Sequence, residues 1–578
     1  MQINLTDKLT ALALFAALFL VFWVSPVVQV TDSKFALLLS HSLWQQRTFT
    51  FDQYQFPHSD IGVHATGVLY QLHEVNGHVY YILPQGSSVL SVPFVRAAEA
   101  FGLSPVNADG SYNENQEARL QHGLAALLMA ALGALFYFTA RLKLSLLLSV
   151  IVALGGALGT QIWSTASRGM WAHTWNALLW GVIAWLMLKA VAREKSPQPV
   201  VLATLLSWTY FVRPTSAIGI IAVSVYVFWY YRSVFLPYAV AGATWFALFL
   251  FWSRTHFGSF FPEYYQAGRL DFSVFGTALA GHLFSPARGL LVYVPILLFL
   301  GYMLLLSHRE LPHKGLVALA LTCVAAQLFS ASAYPHWWGG NCYGPRFLTD
   351  LAPWFVLLAV LGLAAHSRQK WRGGEIAAVV LLLAISIFMN GRGATSWDTW
   401  RWNSVPDDIN KQPERLWSWR QPPFLAGLIR PPLPANLPQL TLPARIDFTL
   451  PEATPFLWYG WSGPEPSARW SDGTQAAIIF KTDSTNNATI SLNLGAFLVP
   501  GRLEEQVVEV EFNGQPITTL RLSADTMETY SFPVKLTAGT NILRLKMPQA
   551  HSPASFTLTP DEGDQRLLGV RVAWLELK

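Results

Sequence analysis

Of 578 residues, 52% are hydrophobic, 14% aromatic and 13% charged, about half the charge of an average soluble domain. A formal net charge of +5 without any basic run excludes a nucleic-acid partner, and the two cysteines, Cys323 and Cys342, make no disulfide framework. Charge is sparse as far as about Asn390 and ordinary after it, so a membrane region precedes a water-soluble one.

The stretch from Leu9 to Val30 is longer than a signal-peptide core of about 7–15 residues, and no small-residue cleavage site follows it. It reads as a retained first transmembrane helix. Further apolar runs begin near Leu120, Leu144, Trp171, Val200, Thr215, Val234, Gly289, Leu316, Leu351 and Ile376, making eleven in all. An odd number places the termini on opposite sides. With the N-terminus in the cytoplasm, the inner loops carry Arg141 with Lys143, Lys189 with Arg193 and Lys195, Arg232, Arg309 with Lys314, and the group Arg368, Lys370 and Arg372. The short outer loops carry single arginines, and no lysine lies between Lys34 and Lys143 or between Lys195 and Lys314. The positive-inside rule therefore puts the N-terminus inside and the C-terminal domain outside.

Three outer segments follow from this arrangement. Residues 31–117 form a long insertion with a surface helix predicted at Ser33–Gln46 and an apolar one at Ser87–Phe101. Ser253–Pro286 is rich in aromatic and turn residues, and Tyr334–Asp350 reads YPHWWGGNCYGPRFLTD. The expected organisation is a helical membrane domain over 1–395, a Trp- and Pro-rich connector over 396–442, and a β-domain over 443–578. The connector's tryptophans suit a belt at headgroup level. Seven period-two runs, from Ala476–Lys481 to Val570–Leu577, with Asn513-Gly514 as a hairpin signal between two of them, predict a β-sandwich. The fold class is thus a polytopic α-helical membrane protein with a C-terminal all-β sandwich.

Ionisable residues beside membrane spans are costly and ask for a reason. Asp32 follows the first span directly. It reads either as the N-cap of a helix beginning at Ser33 or as a carboxylate acting as general base, or holding a divalent metal such as Mg²⁺ or Mn²⁺ beside a phosphate. Arg346, after a Gly-Pro turn, either grips a phosphate through its planar fork or snorkels to headgroups. Arg168, Arg213 and Arg288 raise the same question with less local support. His173 is a site residue or a histidine satisfied by backbone. The set His58, Asp60, His64, His73, Glu74 and His78 matches no metal-ligand spacing and reads as solvated loop. Glu263 sits among aromatics that suit either a stacked sugar or an interfacial belt. No phosphate-binding glycine loop, dinucleotide fingerprint, nucleophile elbow or zinc-protease motif occurs.

Several strings resemble the GT-C superfamily of integral-membrane glycosyltransferases, in particular bacterial family-39-like and lipid A arabinose transferase-like members. They are Thr31-Asp32-Ser33-Lys34-Phe35, Gly77-His78-Val79-Tyr80-Tyr81 with Pro84-Gln85-Gly86 and Pro93, Phe211-Val212-Arg213-Pro214-Thr215, and Tyr343-Gly344-Pro345-Arg346-Phe347. The connector strings Trp402–Pro406 and Arg415–Trp419 belong with them, so the resemblance spans roughly the first 420 residues. It implies an inverting transfer, at the outer face of a bacterial inner membrane, from a polyprenyl-phosphate sugar to an envelope glycan, lipid or protein. Asp32 matches the family's acid in the first outer loop, and Arg346 its phosphate ligand. Family members often carry paired acids here, whereas Asp32 precedes Ser33 and Lys34. A second acid or an acceptor-side group would come from Asp60, Glu263 or His173. The β-domain looks like a carbohydrate-binding sandwich by pattern. Two rival readings are a transporter or flippase of lipid-linked sugars, with polar groups at the midplane and matching halves, and a non-catalytic glycan-binding scaffold.

Overall fold

The computed structural model describes residues 4–578 except 55, 57–68, 267, 269, 367–370, 405–407, 430–432, 435, 484, 557–563 and 565. It forms two compact units, Met1–Leu428 and Ile429–Lys578.

The first unit is helical: α1 Leu5–Val24, α2 Ala36–Gln45, a hairpin of β1 Leu72–Val75 and β2 His78–Tyr81, α3 Gly86–Glu99, α4 Glu114–Arg141 and α5 Leu146–Leu158. It continues with α6 Ala172–Ala192, α7 Pro199–Val212, α8 Ala217–Tyr230, α9 Arg232–Phe257, α10 Phe275–Phe284, α11 Leu290–Tyr293 and α12 Ile296–Leu306. The last four are α13 Lys314–Ser332, α14 Ala352–His366, α15 Gly373–Thr395 and α16 Trp397–Arg401. All eleven apolar runs are helical, and among the described residues seven helices are long and apolar enough to cross a membrane. The others are shorter than the ~20 residues a bilayer asks for. In the run from Gly289, Pro295 cannot donate to the helical ladder, and the chain breaks there between α11 and α12. Outward faces are apolar, with Phe251 74% and Leu305 76% exposed, a surface suited to lipid rather than water.

Because lipid gives no hydrophobic drive between helices, close approach depends on small residues. A Cβ on Gly133 of α4 would strike Leu18 of α1, and one on Gly181 of α6 would strike Leu132 of α4. The helix α4 therefore packs against α1 and α6 through these notches. One end of the bundle is pinned by buried Asp7, which accepts from Arg141 Nε at 2.7 Å and Tyr137 Oη at 2.9 Å. The other end holds residues 25–35, about 30 Å away along α1.

The unit boundary falls inside the predicted connector. Residues 397–425 join the helical unit because Trp402, Leu416 and Phe424 are buried against its side chains. In the same segment Trp417 and Trp419 are exposed, as a headgroup belt requires.

The second unit holds β3 Ala444–Asp447, β4 Leu457–Tyr459, β5 Arg469–Trp470, β6 Gln475–Thr482, β7 Asn487–Ala496, β8 Gln506–Phe512, β9 Gln515–Leu522, β10 Glu528–Lys535, β11 Gly539–Lys546 and β12 Val570–Leu577. Two five-stranded sheets result, one ordered β10-β7-β12-β3 with β5 beside β12, the other β4-β6-β11-β8-β9. Their inward residues, among them Ile490, Leu492 and Val572 from one and Ile478, Val510 and Leu543 from the other, share one core. Asn513 (φ 50°) and Gly514 (φ 82°) make the tight turn between β8 and β9, the backbone such a dipeptide favours. The three strands of this unit absent from the sequence reading, β3, β4 and β5, are only four, three and two residues long, too short to show a period of two.

Candidate functional site

At the α1 C-terminal end of the bundle the chain leaves α1, passes Asp32 and enters α2. The predicted N-cap is not what forms. Helix α2 begins at Ala36, and its N-cap is Phe35, held at φ 72° without any side-chain cap. The missing cap comes from α4: the buried Glu117 carboxylate accepts from the amides of Phe35 (3.0 Å) and Leu37 (2.8 Å), from Tyr112 Oη (2.6 Å) and from Gln121 Nε2 (3.1 Å). An anion at a helix N-terminus is favourable, and here it also fixes a left-handed Phe that costs of order 1–2 kcal/mol. Asp32 is thereby released from capping. Glu117→Ala leaves buried amides without acceptors, at about 1–3 kcal/mol each. A clear drop in thermal midpoint in detergent is expected, with Glu117→Gln milder because one acceptor oxygen remains.

Asp32 is held from several sides. Tyr70 Oη donates to Asp32 Oδ1 at 2.6 Å, Tyr81 Oη donates to the Asp32 carbonyl at 3.0 Å, and Gln71 Nε2 donates to the Thr31 carbonyl at 2.8 Å. Burial, with Tyr81 and Tyr264 nearby, pushes the Tyr70 phenol above its usual range, and burial does the same to Tyr81. Both stay protonated donors at any working pH. The second oxygen of Asp32 forms an ion pair with Arg346 Nη2.

Arg346 opens a short 3₁₀ turn, Arg346–Leu351, ahead of α14. The preceding Gly344 sits at φ 65°, against the Tyr293 ring, which is why glycine is needed there. The guanidinium carbon lies 3.4 Å from the centroid of the Trp171 ring, and Nη1 donates to the Gly339 carbonyl at 3.0 Å. Its buried Nε–H has no partner among the described residues. An orphaned donor on a buried arginine asks for an explanation, and an anionic ligand oxygen supplies one.

Behind Phe347 lies a second buried cluster. The His173 Nδ1 is 3.3 Å from Asp350 Oδ1, Arg213 Nε is 2.9 Å from Asp350 Oδ2, and Arg213 Nη1 is 2.9 Å from His173 Nε2. The single Nε hydrogen of Arg213 points to Thr215 Oγ1 at 3.0 Å, so its contact with Asp350 is an ion pair and not a hydrogen bond. The Arg213 and Arg346 guanidinium carbons lie 5.8 and 5.7 Å from the Phe347 ring centroid, one aromatic side chain apart from each other's cluster.

The other two arginines stand as clamps. Arg168, fully buried, points Nη1 at the Ser25 carbonyl (2.7 Å) and Nη2 at that of Phe22, tying off the end of α1. Buried Arg288 holds the carbonyls of Trp338 (2.8 Å) and Gly340 (3.1 Å), on either side of the Gly339 that accepts from Arg346. Arg288 Nη2 also donates to Asn403 Oδ1 at 2.8 Å, and the donors of both arginines are directed mainly at backbone carbonyls. Next to Arg168, Gly169 faces the Gln29 carbonyl so closely that a Cβ would collide with it. Gly169→Ala should cost about 1–3 kcal/mol and push residues 25–32 off Trp171, lowering both the thermal midpoint and function.

Glu263 Oε2 lies 3.9 Å from His73 Nδ1. Asp60, His58 and His64 lie outside the described residues. No three His, Cys, Asp or Glu side chains converge among the described residues, and both Asp32 oxygens have protein partners. Among the described residues, the groups present do not fit a divalent metal. Sequence reasoning missed Glu117, Tyr70, Trp171 and Asp350. Asp350 could have been found, since an acid opening an apolar span needs a partner; Tyr70 offered nothing beyond its place in a long loop.

No protein-family model matches this chain, and no curated protein matches it. Among solved structures, the Archaeoglobus fulgidus oligosaccharyltransferase in the apo form is similar over 74% of this chain and 62% of its own, at 12% identity and a TM-score of 0.41. This chain thus matches less than two thirds of that enzyme's length. A family 35 carbohydrate binding module from an environmental isolate is similar over 20% of this chain and 72% of its own, at 17% identity and a TM-score of 0.14. The Clostridium thermocellum family 35 module is similar over 23% and 97%, at 11% identity and a TM-score of 0.16.

Proposed function

We propose that the helical unit is an inverting glycosyltransferase that moves a sugar from a polyprenyl-phosphate carrier to a glycan, lipid or protein of the cell envelope. The observation that carries this reading is the Asp32–Arg346 pair on the Trp171 face: a carboxylate and a guanidinium at one mouth of an apolar bundle, reachable by a lipid-borne phosphate. The lysine and arginine bias supports placing that mouth outside the cytoplasm, with the N-terminus inside.

The chemistry follows from these groups. The donor phosphate competes with Asp32 for the Arg346 fork, taking Nη2 and the orphaned Nε, and so frees the carboxylate. The acceptor hydroxyl then attacks the anomeric carbon while its proton passes to Asp32. The bond from that carbon to the phosphate oxygen breaks, and the electron pair stays on the phosphate, where Arg346 stabilises it. Backside attack inverts the anomeric configuration. Arg213 sits within reach of the same ring as Arg346 and adds positive potential. His173 holds it in place, and no step passes through a metal. A glycan-binding role for the β-rich unit rests on its sandwich architecture.

A flippase would place its polar groups near the midplane. Here Asp350 and Arg213 flank helix ends, and His173 is the second residue of α6. Mass spectrometry of envelope glycans from a deletion strain, with wild type or Asp32→Asn restored at equal abundance, tests the reading. A mass difference that wild type restores and Asp32→Asn does not is expected. Full restoration by Asp32→Asn favours the scaffold.

A further inference from the structure

The hairpin that fastens Asp32 also walls a cavity of about 210 Å³. Tyr70 and Gln71 lead into β1 and hold residues 31–32, and His73 and Val75 further along the same strand line the cavity. Tyr81 ends β2 on the Asp32 carbonyl, and the next residue, Ile82, lines the cavity too. The facing wall is the last residue of α9, Phe257, and the segment after it, with Ser259, Pro262, Glu263, Tyr264 and Gln266. That wall is braced onto α7 by Tyr265 Oη donating to the Phe211 carbonyl at 2.9 Å. The cavity and the Asp32 clamp are therefore neighbours along the hairpin, through Gln71 and His73 on one strand and Tyr81 and Ile82 on the other.

Its chemistry is selective. Among the described residues, no lysine or arginine lines it, and the one carboxylate, Glu263, disfavours a phosphate. Tyr264, Phe257 and Pro262 offer apolar faces for the C–H side of a sugar ring. Glu263 and His73, 3.9 Å apart, and Gln266, whose Nε2 donates to the Phe261 carbonyl at 3.2 Å, carry acceptors and donors that can exchange these contacts for sugar hydroxyls. The volume falls below the roughly 300–1,000 Å³ of drug-sized ligand sites and suits one ring rather than a chain.

We infer that this cavity seats the neutral sugar ring that presents the accepting hydroxyl to Asp32. The inference rests on the transferase reading and adds where, and as what class of molecule, the acceptor binds. Glu263 is a hydroxyl ligand here and not a second acid for the phosphate.

Full-length Glu263→Gln and Tyr264→Ala, restored to the deletion strain at abundance matched to wild type, are compared with Asp32→Asn by envelope-glycan mass spectrometry. Glu263→Gln should lower modification about tenfold or more, the worth of a hydrogen bond to a charged group, and Tyr264→Ala about tenfold through loss of its stacking face. In parallel, saturation-transfer NMR of the detergent-solubilised protein uses free glucose, galactose, mannose, arabinose and N-acetylglucosamine as probes. Transfer to one or more of them should appear with wild type and with Asp32→Asn and fall in both cavity variants. Native modification by the cavity variants beside loss in Asp32→Asn overturns the cavity assignment and leaves the transferase reading standing. So does saturation transfer that the cavity variants do not change, or its absence from wild type across the panel. Native modification by Asp32→Asn overturns the transferase reading itself.

Discussion

Asp32→Asn should reduce glycosyl transfer by about 10²–10⁴-fold, the usual worth of a positioned general base, with the protein still made and folded. Asparagine keeps an oxygen for Tyr70 Oη, and Tyr81 and Gln71 grip backbone that the substitution does not touch. The ion pair it removes is open on the Asp32 side, 35% exposed, but Arg346 is only 11% exposed, so a modest drop in thermal midpoint is expected beside a far larger loss of transfer. Function and abundance therefore separate, which is what distinguishes a base from a structural acid. The check is the transfer rate at saturating acceptor beside the thermal midpoint of the same preparation. Activity within a few-fold of native would remove Asp32 from the chemistry. Asp32→Glu tests geometry: the added methylene keeps the charge but displaces it, and partial activity is the expected result.

The second large effect belongs to Arg346. Its guanidinium lies over Trp171 and donates to the Gly339 carbonyl, so a planar fork is pre-aimed at whatever anion replaces Asp32. Lysine keeps the charge but loses the fork and the stacked plane. Arg346→Ala should cost about 10²–10³-fold in transfer, the scale of losing one donor to a developing anion, and Arg346→Lys an intermediate amount. Pairing Arg346→Ala with Asp32→Asn should cost less than the product of the two single losses, because groups acting on one bond-breaking event are non-additive. Multiplicative losses would mean that the two residues act at separate steps. Arg288→Ala offers a control of a different kind: it should weaken transfer only by loosening the Gly339 loop, and lower the thermal midpoint along with it.

Much of the architecture was legible because membrane and sandwich each write a strong local pattern. A bilayer demands long apolar runs, and all eleven predicted runs are helical. A sheet buried on one face demands a period of two, and the seven predicted strands fall at β6–β12. Where the pattern was short the sequence was silent, as at Arg469–Trp470, which exists only because β12 pairs with it. The split of the connector was equally hidden, since the burial of Leu416 and Phe424 depends on partners far along the chain.

For the site, the sequence by itself determined which ionisable groups stand at membrane edges without local excuse: Asp32, Arg168, Arg213, Arg288 and Arg346. It set Arg346 ahead of the other three arginines only by its Gly-Pro turn, because every one is an isolated charge beside an apolar run. Tertiary structure gave them different surroundings. It set two arginines on carbonyls, set one against a buried acid, and left Arg346 facing Asp32 with a donor to spare. It also moved the helix cap from Asp32 to Glu117, which lies 82 positions along the chain from Phe35, whose amide it accepts. Local sequence fixes what a residue costs to bury. Only the fold decides which distant partner offsets that cost, and therefore which charge remains available to a ligand.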